Sequence, residues 1–387
     1  MIAYNKNWLD NLNNKEEIES TFSSALISLG EKEKFELLYP VAFYSPNFFI
    51  RAGLFILTAV IAVFTMGIFA LISMDGLYRH YYLLFLFSGL LSYATLEYFV
   101  KEKKQYRSGV DDALMWVSAL CVFFGINGAF EFNLSHVQNA VLVFILAAYF
   151  FLRFADTLMA CVVVLAFFAS VFLFYFPINN FTKSTIPFVL MLLASLVYFF
   201  ANKFSFNNLF RHYKHGLKIM EIVALLCLYA ASNYFVVQQL SNIFLQSFTE
   251  TNTKISYGWL FWFFTVCIPL YYIFRGIQKK DVIFLRVGLI LITAIVFTVR
   301  FYYAVMPMEI AMLIGGIIFI AICYALTKYL SQPKYGFTAD EIKSKTKGGI
   351  INIESLVIAE TFNQNTSEPT TTFGGGSGGG GGASGEF

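Results

Sequence analysis

The sequence predicts an all-α integral membrane protein of about ten transmembrane helices with both termini in the cytoplasm, and three observations carry that reading. Hydrophobic residues make up 58% of the 387 residues and charged residues only 13%, against about a quarter charged in a soluble globular domain. The apolar residues gather into ten runs, each about long enough to cross a bilayer. Of the 27 Lys and Arg, 22 lie in the N-terminal segment, the even-numbered loops and the C-terminal tail, three lie in the odd-numbered loops, and two lie inside a span. The positive-inside rule puts the basic side in the cytoplasm.

Three regions follow: a cytoplasmic N-terminal helical segment at 1–48, a ten-helix transmembrane bundle at 49–328, and a flexible cytoplasmic tail at 329–387 that ends in a Gly-rich segment. In the first region Ile18, Phe22, Ala25, Leu26 and Leu29 recur at helical spacing, and Glu16, Glu17 and Glu19 crowd the first turn, where acidic groups suit the helix dipole. Gly30 is a stop signal, a second short helix runs from Glu31 to Tyr39, and Pro40 and Pro46 break the approach to the bilayer. Such a hairpin either packs on the bundle's own cytoplasmic surface or docks a partner. The polar, mixed-charge opening excludes a cleavable signal peptide.

The spans are expected at 50–73, 81–100, 113–130, 137–152, 157–176, 185–201, 219–237, 258–274, 282–303 and 309–327. The loop between the fourth and fifth is so short that they must form a tight hairpin turned at Arg153 and Asp156. An even number of spans admits two inverted five-helix halves, a layout of several transporters, but no residue pattern recurs between the halves. Pro187 and Pro269 are candidates to interrupt their helices and do not occupy matching positions.

An ionisable side chain inside a span costs about 2.5–3.5 kcal/mol at the centre on insertion scales and is therefore a functional candidate. Arg286 and Arg300 in the ninth span fall within about 40° of one another and about 21 Å apart along the axis, with Thr293 halfway on the same stripe. They read either as interfacial anchors that snorkel or as a pathway or headgroup contact for a small anionic or lipid-like solute. Glu309 lies across a short turn from Arg300, an arrangement suited to an ion pair. Glu97 with Lys101 and Glu221 with Lys218 stand at (i, i+4) and (i−3, i), so local pairing explains both acids. Asn127 and Asn233 suit hydrogen bonds between helices, and Ser88, Ser92 and Thr95 form a small polar stripe suited to close helix packing.

The five cysteines all fall inside apolar runs without short spacing and read as small buried hydrophobes. The four histidines read as solvated loop residues. No metal site, cofactor or nucleic-acid surface is expected, and no H-E-x-x-H, G-x-S-x-G, P-loop or paired intramembrane aspartates occur, so an enzyme is the least favoured class.

The ending from Phe373 to Phe387, FGGGSGGGGGASGEF, resembles the Gly-rich tail of bacterial membrane proteins that carry the TPM domain, where it also follows a last transmembrane helix. A cloning linker is the other reading of that composition. The opening from Met1 to Asp10, the lead-in from Phe43 to Arg51 and the ninth span from Arg286 to Tyr303 resemble a family of uncharacterised Bacteroidota inner-membrane proteins. That resemblance implies a multi-pass protein of the bacterial inner membrane and brings no activity with it. Two functions stay open: a non-enzymatic envelope scaffold that meets other membrane proteins through its N-terminal segment or Gly-rich tail, and a transporter or channel with a pathway near Arg286 and Arg300. Replacing both arginines by Leu separates them. A pathway predicts normal expression with lost solute flux in proteoliposomes, whereas anchoring predicts loss of folded protein on size exclusion.

Overall fold

The computed structural model describes residues 2–23, 26–72, 80–245, 257–279 and 281–302, with scattered positions between 310 and 328. Two short helices come first, α1 (Lys6–Ser23) and α2 (Leu29–Leu38). Long helices follow: α3 (Phe48–Ile72), α4 (Tyr81–Lys101), α5 (Val110–Ala129), α6 (His136–Phe154), α7 (Thr157–Tyr175) and α8 (Asn180–Ser205). A 3₁₀ turn (Asn208–Tyr213) leads into α9 (Lys214–Ser232), which is followed by α10 (Tyr234–Leu245), α11 (Gly258–Lys279) and α12 (Val282–Tyr302). Among the described residues, nine helices are long and apolar enough to cross a membrane: α3 to α9, α11 and α12. They coincide with the first nine expected spans. The tenth, at 309–327, falls largely outside the described residues, as do Glu309 and the tail at 329–387.

Helix starts follow local chemistry. Ser28 with Glu31 and Ser135 with Gln138 form reciprocal capping boxes at α2 and α6, and Asn179 with Thr182 does the same at α8. The hairpin between α6 and α7 is as tight as its sequence requires: Ala155 takes a left-handed conformation at φ 51°, and Asp156 caps α7 by accepting the Met159 N–H at 2.8 Å. Burial holds the Asp156 carboxyl above the usual carboxylate range, against the pull of the Met159 N–H and of Arg107.

Antiparallel neighbours make the tightest pairs, α4 with α5, α6 with α7, α8 with α9 and α11 with α12, and α9 also touches α7, α10, α11 and α12. One apolar core joins α4 to α7 through Leu96, Met115, Phe150 and Met159, and two smaller ones gather on α9 around Val223 and Tyr229. The α4–α5 contact rests on Gly89, where an added Cβ would lie 2.9 Å from the Val122 side chain, and on Ser118, whose hydroxyl donates to the Gly89 carbonyl at 2.9 Å. Ser88, Ser92 and Thr95 instead line a groove facing α3, so the polar stripe is not the packing seam. Gly109, at φ +92°, has the Arg51 carbonyl where a Cβ would stand, and this lets the start of α3 lie against the α4–α5 loop.

The end of the bundle that carries the 102–109, 155–156 and 206–213 loops is the basic end, and it is locked by polar contacts. Arg153 donates to both oxygens of Glu97, from Nε at 2.7 Å and Nη2 at 2.9 Å, while Lys101 pairs with Glu97 at 2.7 Å and Tyr93 donates to it at 2.9 Å. Arg51 holds Asp112 through Nε at 2.8 Å. Asp111 accepts the N–H groups of Arg107 and Ser108, both at 2.8 Å. The N-terminal segment packs on this same end: Tyr4 and Leu9 are buried, the Ala3 N–H donates to the Arg153 carbonyl at 2.9 Å, and Asp10 pairs with Arg211 and with His212. Burial and the adjoining Asp111 carboxylate hold the Tyr4 phenol well above its usual range, so it remains a donor to Asp111. None of the residues of α2 is buried.

Glu97 binds α4 to α6 and is shared by three donors, so Glu97→Ala leaves the Arg153 guanidinium without its carboxylate. Hydrogen bonds to charged groups contribute about 1.5–3 kcal/mol each, and the partial exposure of Arg153, 23%, argues for the low end. The expected result is a clear drop in the midpoint of thermal unfolding in detergent, with Lys101→Ala, at the more exposed side, causing a much smaller one.

Candidate functional site

Sequence periodicity runs the seventh span through to residue 237 as one helix, but the structure breaks it. Asn233 is extended, with φ −78° and ψ 126°, and α10 starts again at Tyr234. The break lies inside the depth of its neighbours, because Thr265, which it contacts, is about 10 Å along α11 from Gly258. The two prolines interrupt nothing: α8 continues through Pro187 and α11 through Pro269.

The backbone N–H groups freed at the break find side chains. The Tyr234 N–H donates to Thr265 Oγ1 at 3.0 Å, which takes from the Ala230 carbonyl the donor a continuous helix would supply. The Val236 N–H donates to Asn233 Oδ1 at 3.2 Å, so Asn233 is both the end of α9 and the cap of α10. Its Nδ2 donates to Tyr229 Oη at 2.9 Å and to Thr298 Oγ1 on α12 at 3.0 Å. Asn233, Thr265 and Thr298 are all buried, at 2%, 0% and 1% exposure. Asn233 therefore does bond between helices. Asn127, also buried, makes its side-chain bond within α5, to the Phe123 carbonyl at 3.1 Å.

Beside the break, α7, α8, α9 and α10 line a partly open cavity of about 290 Å³, to which Phe261 of α11 contributes. Its wall is mainly apolar, from Phe168, Phe172, Ile186, Leu190, Val237 and Leu240, with the Ser184 and Ser241 hydroxyls and the Lys183 ammonium as its polar groups. Lys183 Nζ stands 5.9 Å from the centre of the Phe176 ring. Pro187 has no N–H to give the Lys183 carbonyl, and the Ala230 carbonyl loses the Tyr234 N–H to Thr265, so two residues of the lining carry a backbone acceptor without its usual helical donor. One cation beside an apolar interior suits an amphiphile with an anionic head.

The residues singled out in the ninth span lie elsewhere. The packed face of α12 is Phe284, Val287, Gly288, Leu291 and Thr298. Arg286 and Thr293 are exposed among the described residues and Arg300 is half-buried, so the three share a stripe turned away from the α9 and α11 contacts. The ion pair expected between Arg300 and Glu309 lies outside the described residues.

Two expected acids divide. Glu97 pairs with Lys101, as (i, i+4) spacing requires, and additionally with Arg153, which no local spacing reveals. Glu221 is 4% exposed, Lys218 is exposed, and no ion pair joins them among the described residues. Three of the four histidines, His80, His136 and His215, are exposed as expected, whereas His212 is half-buried with Nε2 2.8 Å from Asp10. Among the described residues, no group of three His, Cys, Asp or Glu side chains is placed to hold a metal ion.

Asn233→Ala removes the α10 cap, worth about 1 kcal/mol, and the bond to Thr298, worth about 1 kcal/mol more. The expected outcome is a lower unfolding midpoint together with faster amide hydrogen exchange at 234–237; unchanged exchange there means that the asparagine does not hold the break. Comparison with protein families, with curated proteins and with solved structures gave no match; the nine apolar helices make the chain a multi-pass membrane protein.

Proposed function

We propose that the protein binds an amphiphilic anion, an acyl chain or lipid with a carboxylate or phosphate head, in the cavity between α7 and α10, and moves it by rearranging α10 about the break at Asn233. The observation that carries this reading is the coincidence of an interrupted membrane helix with an apolar cavity holding one lysine. A helix broken inside a bundle leaves short-range polar contacts in place of a continuous ladder, and the piece beyond the break can then change angle without unfolding. The Thr265 and Thr298 contacts are single hydrogen bonds of about 1 kcal/mol each, small enough to exchange during a transport cycle.

The same reading keeps both ends in the cytoplasm on the strength of the Lys and Arg asymmetry, in a bacterial inner membrane as the family resemblance implies. Lys183 then faces the outer half of the bilayer, and Arg286, Thr293 and Arg300 serve as contacts to lipid headgroups along the exposed side of α12. A scaffold role is supported by a different observation: α2 leaves Leu37 and Leu38 at its end exposed, at 82% and 68%.

Native mass spectrometry of the detergent-solubilised full chain with oleate, dioleoylphosphatidylglycerol and dioleoylphosphatidylcholine tests the reading. Both anions are expected to bind better than the zwitterion, and whichever of the two binds better distinguishes a fatty acid from a phospholipid. Lys183→Glu should weaken anion binding roughly ten- to a hundredfold, as loss of an interaction of about 1.5–3 kcal/mol requires. Ala231→Phe, which fills the cavity, should weaken all three. Equal binding of anion and zwitterion by both the wild type and Lys183→Glu overturns the proposal.

A further inference from the structure

Among the described residues, the bundle holds one buried acid that nothing described so far employs. Glu221 sits two turns into α9 from the basic end, is 4% exposed, and its Oε1 has no hydrogen-bond partner among the described residues. The carboxyl takes one side-chain hydrogen bond, from Asn202 on α8. The charged and titratable groups around it do little to hold a negative charge: Lys218 on its own helix points outward, Asp281 at the start of α12 repels a second carboxylate, and Tyr198 on α8 is a neutral phenol. On α11, Tyr272 spends its hydroxyl on the Leu225 carbonyl at 3.3 Å, and Arg275 donates to Gln278 at 3.2 Å. The contrast with Glu97 is direct, since that acid lies in a comparable position near a span end and has two cations and a phenol on its oxygens.

A carboxylate in such a place leaves a charged oxygen dry and unpaired, which is far more costly than a neutral acid with one hydrogen bond satisfied. We propose that Glu221 is a proton-binding site, with Oε1 carrying a proton taken from water at the basic end, and that its loading and release couple movements of α9 to protons. The proton adds to a carboxylate and leaves to water, and no other reactant is needed. The inference goes beyond the amphiphile reading but shares its moving part: Glu221 and Asn233 lie on one rigid helix, about 18 Å apart. A change of charge at one end of α9 bears on the same element whose other end forms the break.

The test is infrared spectroscopy of the full chain in lipid nanodiscs, titrated from about pH 5 to 9, a range that spans ordinary carboxylate and histidine titration. Wild type minus Glu221→Gln should show a protonated-carboxyl C=O band at neutral pH that gives way to carboxylate bands as pH rises. Carboxylate bands alone throughout the range would overturn the proposal. Should the Gln variant fail to fold, Glu221→Asp retains an acid and should displace the band; an unmoved band then assigns the proton to another group and also overturns it. Amphiphile binding is read separately on the same samples. Loss of pH dependence of that binding in Glu221→Gln supports coupling, and pH-dependent binding that the substitution leaves unchanged overturns it. A protonated Glu221 without any amphiphile binding leaves the proton site standing and removes the cavity reading.

Discussion

A backbone interrupted inside a membrane has no water to turn to, so every N–H and C=O it frees must find a partner within the protein. At Asn233 that constraint organises the second half of the bundle. Thr265 must approach from α11 to take the Tyr234 N–H, and Thr298 must approach from α12 to meet the Asn233 amide. The helices that supply them are drawn into close contact, with Gly288 of α12 placed where a Cβ would stand 2.8 Å from Ile273 of α11. Aromatic rings then close around the start of α10: Tyr234 stacks on Trp262 at 5.1 Å, and Phe235 meets Phe301 at 4.7 Å. Phenyl and indole faces exclude lipid from the break without competing for its hydrogen bonds.

The two ends of the molecule are built on opposite principles. At the basic end, charge is matched by charge and the N-terminal segment lies over the matched groups, with Tyr4 reaching Asp111 and Ala3 reaching Arg153. Such contacts have fixed directions and hold α3 to α7 in one arrangement. Around the break, single neutral hydrogen bonds and an apolar cavity replace them, and neither resists a small rotation strongly. α9 spans the two regimes. It is packed by Phe151 against Gly216 near its start and ends in a residue shared with α10, α11 and α12. Motion in this protein is therefore expected in the half that contains α8 to α12, carried on a first half that stays put.

Much of the helical frame was legible in the sequence, because crossing a bilayer demands long apolar runs, but the N-terminal helices were not placed: α1 already ends at Ser23, and Gly30, expected as a stop, lies inside α2, which Ser28 caps. The break was not, since the run from Leu225 to Val237 is almost wholly apolar and a period count carries straight through it. One local signal was available: Ser232-Asn233 inside an apolar run pairs two residues that favour caps over helix interiors. The prolines pointed the other way, and both are absorbed because a helix packed on its neighbours tolerates one missing N–H. Glu97 with Arg153 stands 56 residues apart in sequence, and nothing but the packing of α4 on α6 brings them together. The expected partner of Glu221 failed for a related reason: (i, i+3) spacing permits a pair, but the rotation of α9 that buries one residue exposes the other.

The cations of the bundle show why position alone does not mark a site. Arg51 and Arg153 are both within or beside spans, and each is neutralised by an acid in contact. Arg286 lies on an exposed face of α12, where a long side chain can reach the headgroups. Lys183 differs from all three. It is half-buried, it borders a partly open apolar cavity, and its described contact is the face of an aromatic ring, which attracts a cation without cancelling its charge. A cation so placed retains most of its field for whatever enters the cavity, and the low polarity of the surrounding phenylalanines lets that field act over a longer distance than it would in water. The released carbonyls of Lys183 and Ala230 then bound the choice of guest from the other side, since a fully anionic head would meet them unfavourably unless it also carried a hydroxyl or an acid proton to donate. An anionic amphiphile that also carries a hydroxyl is therefore favoured over a bare carboxylate.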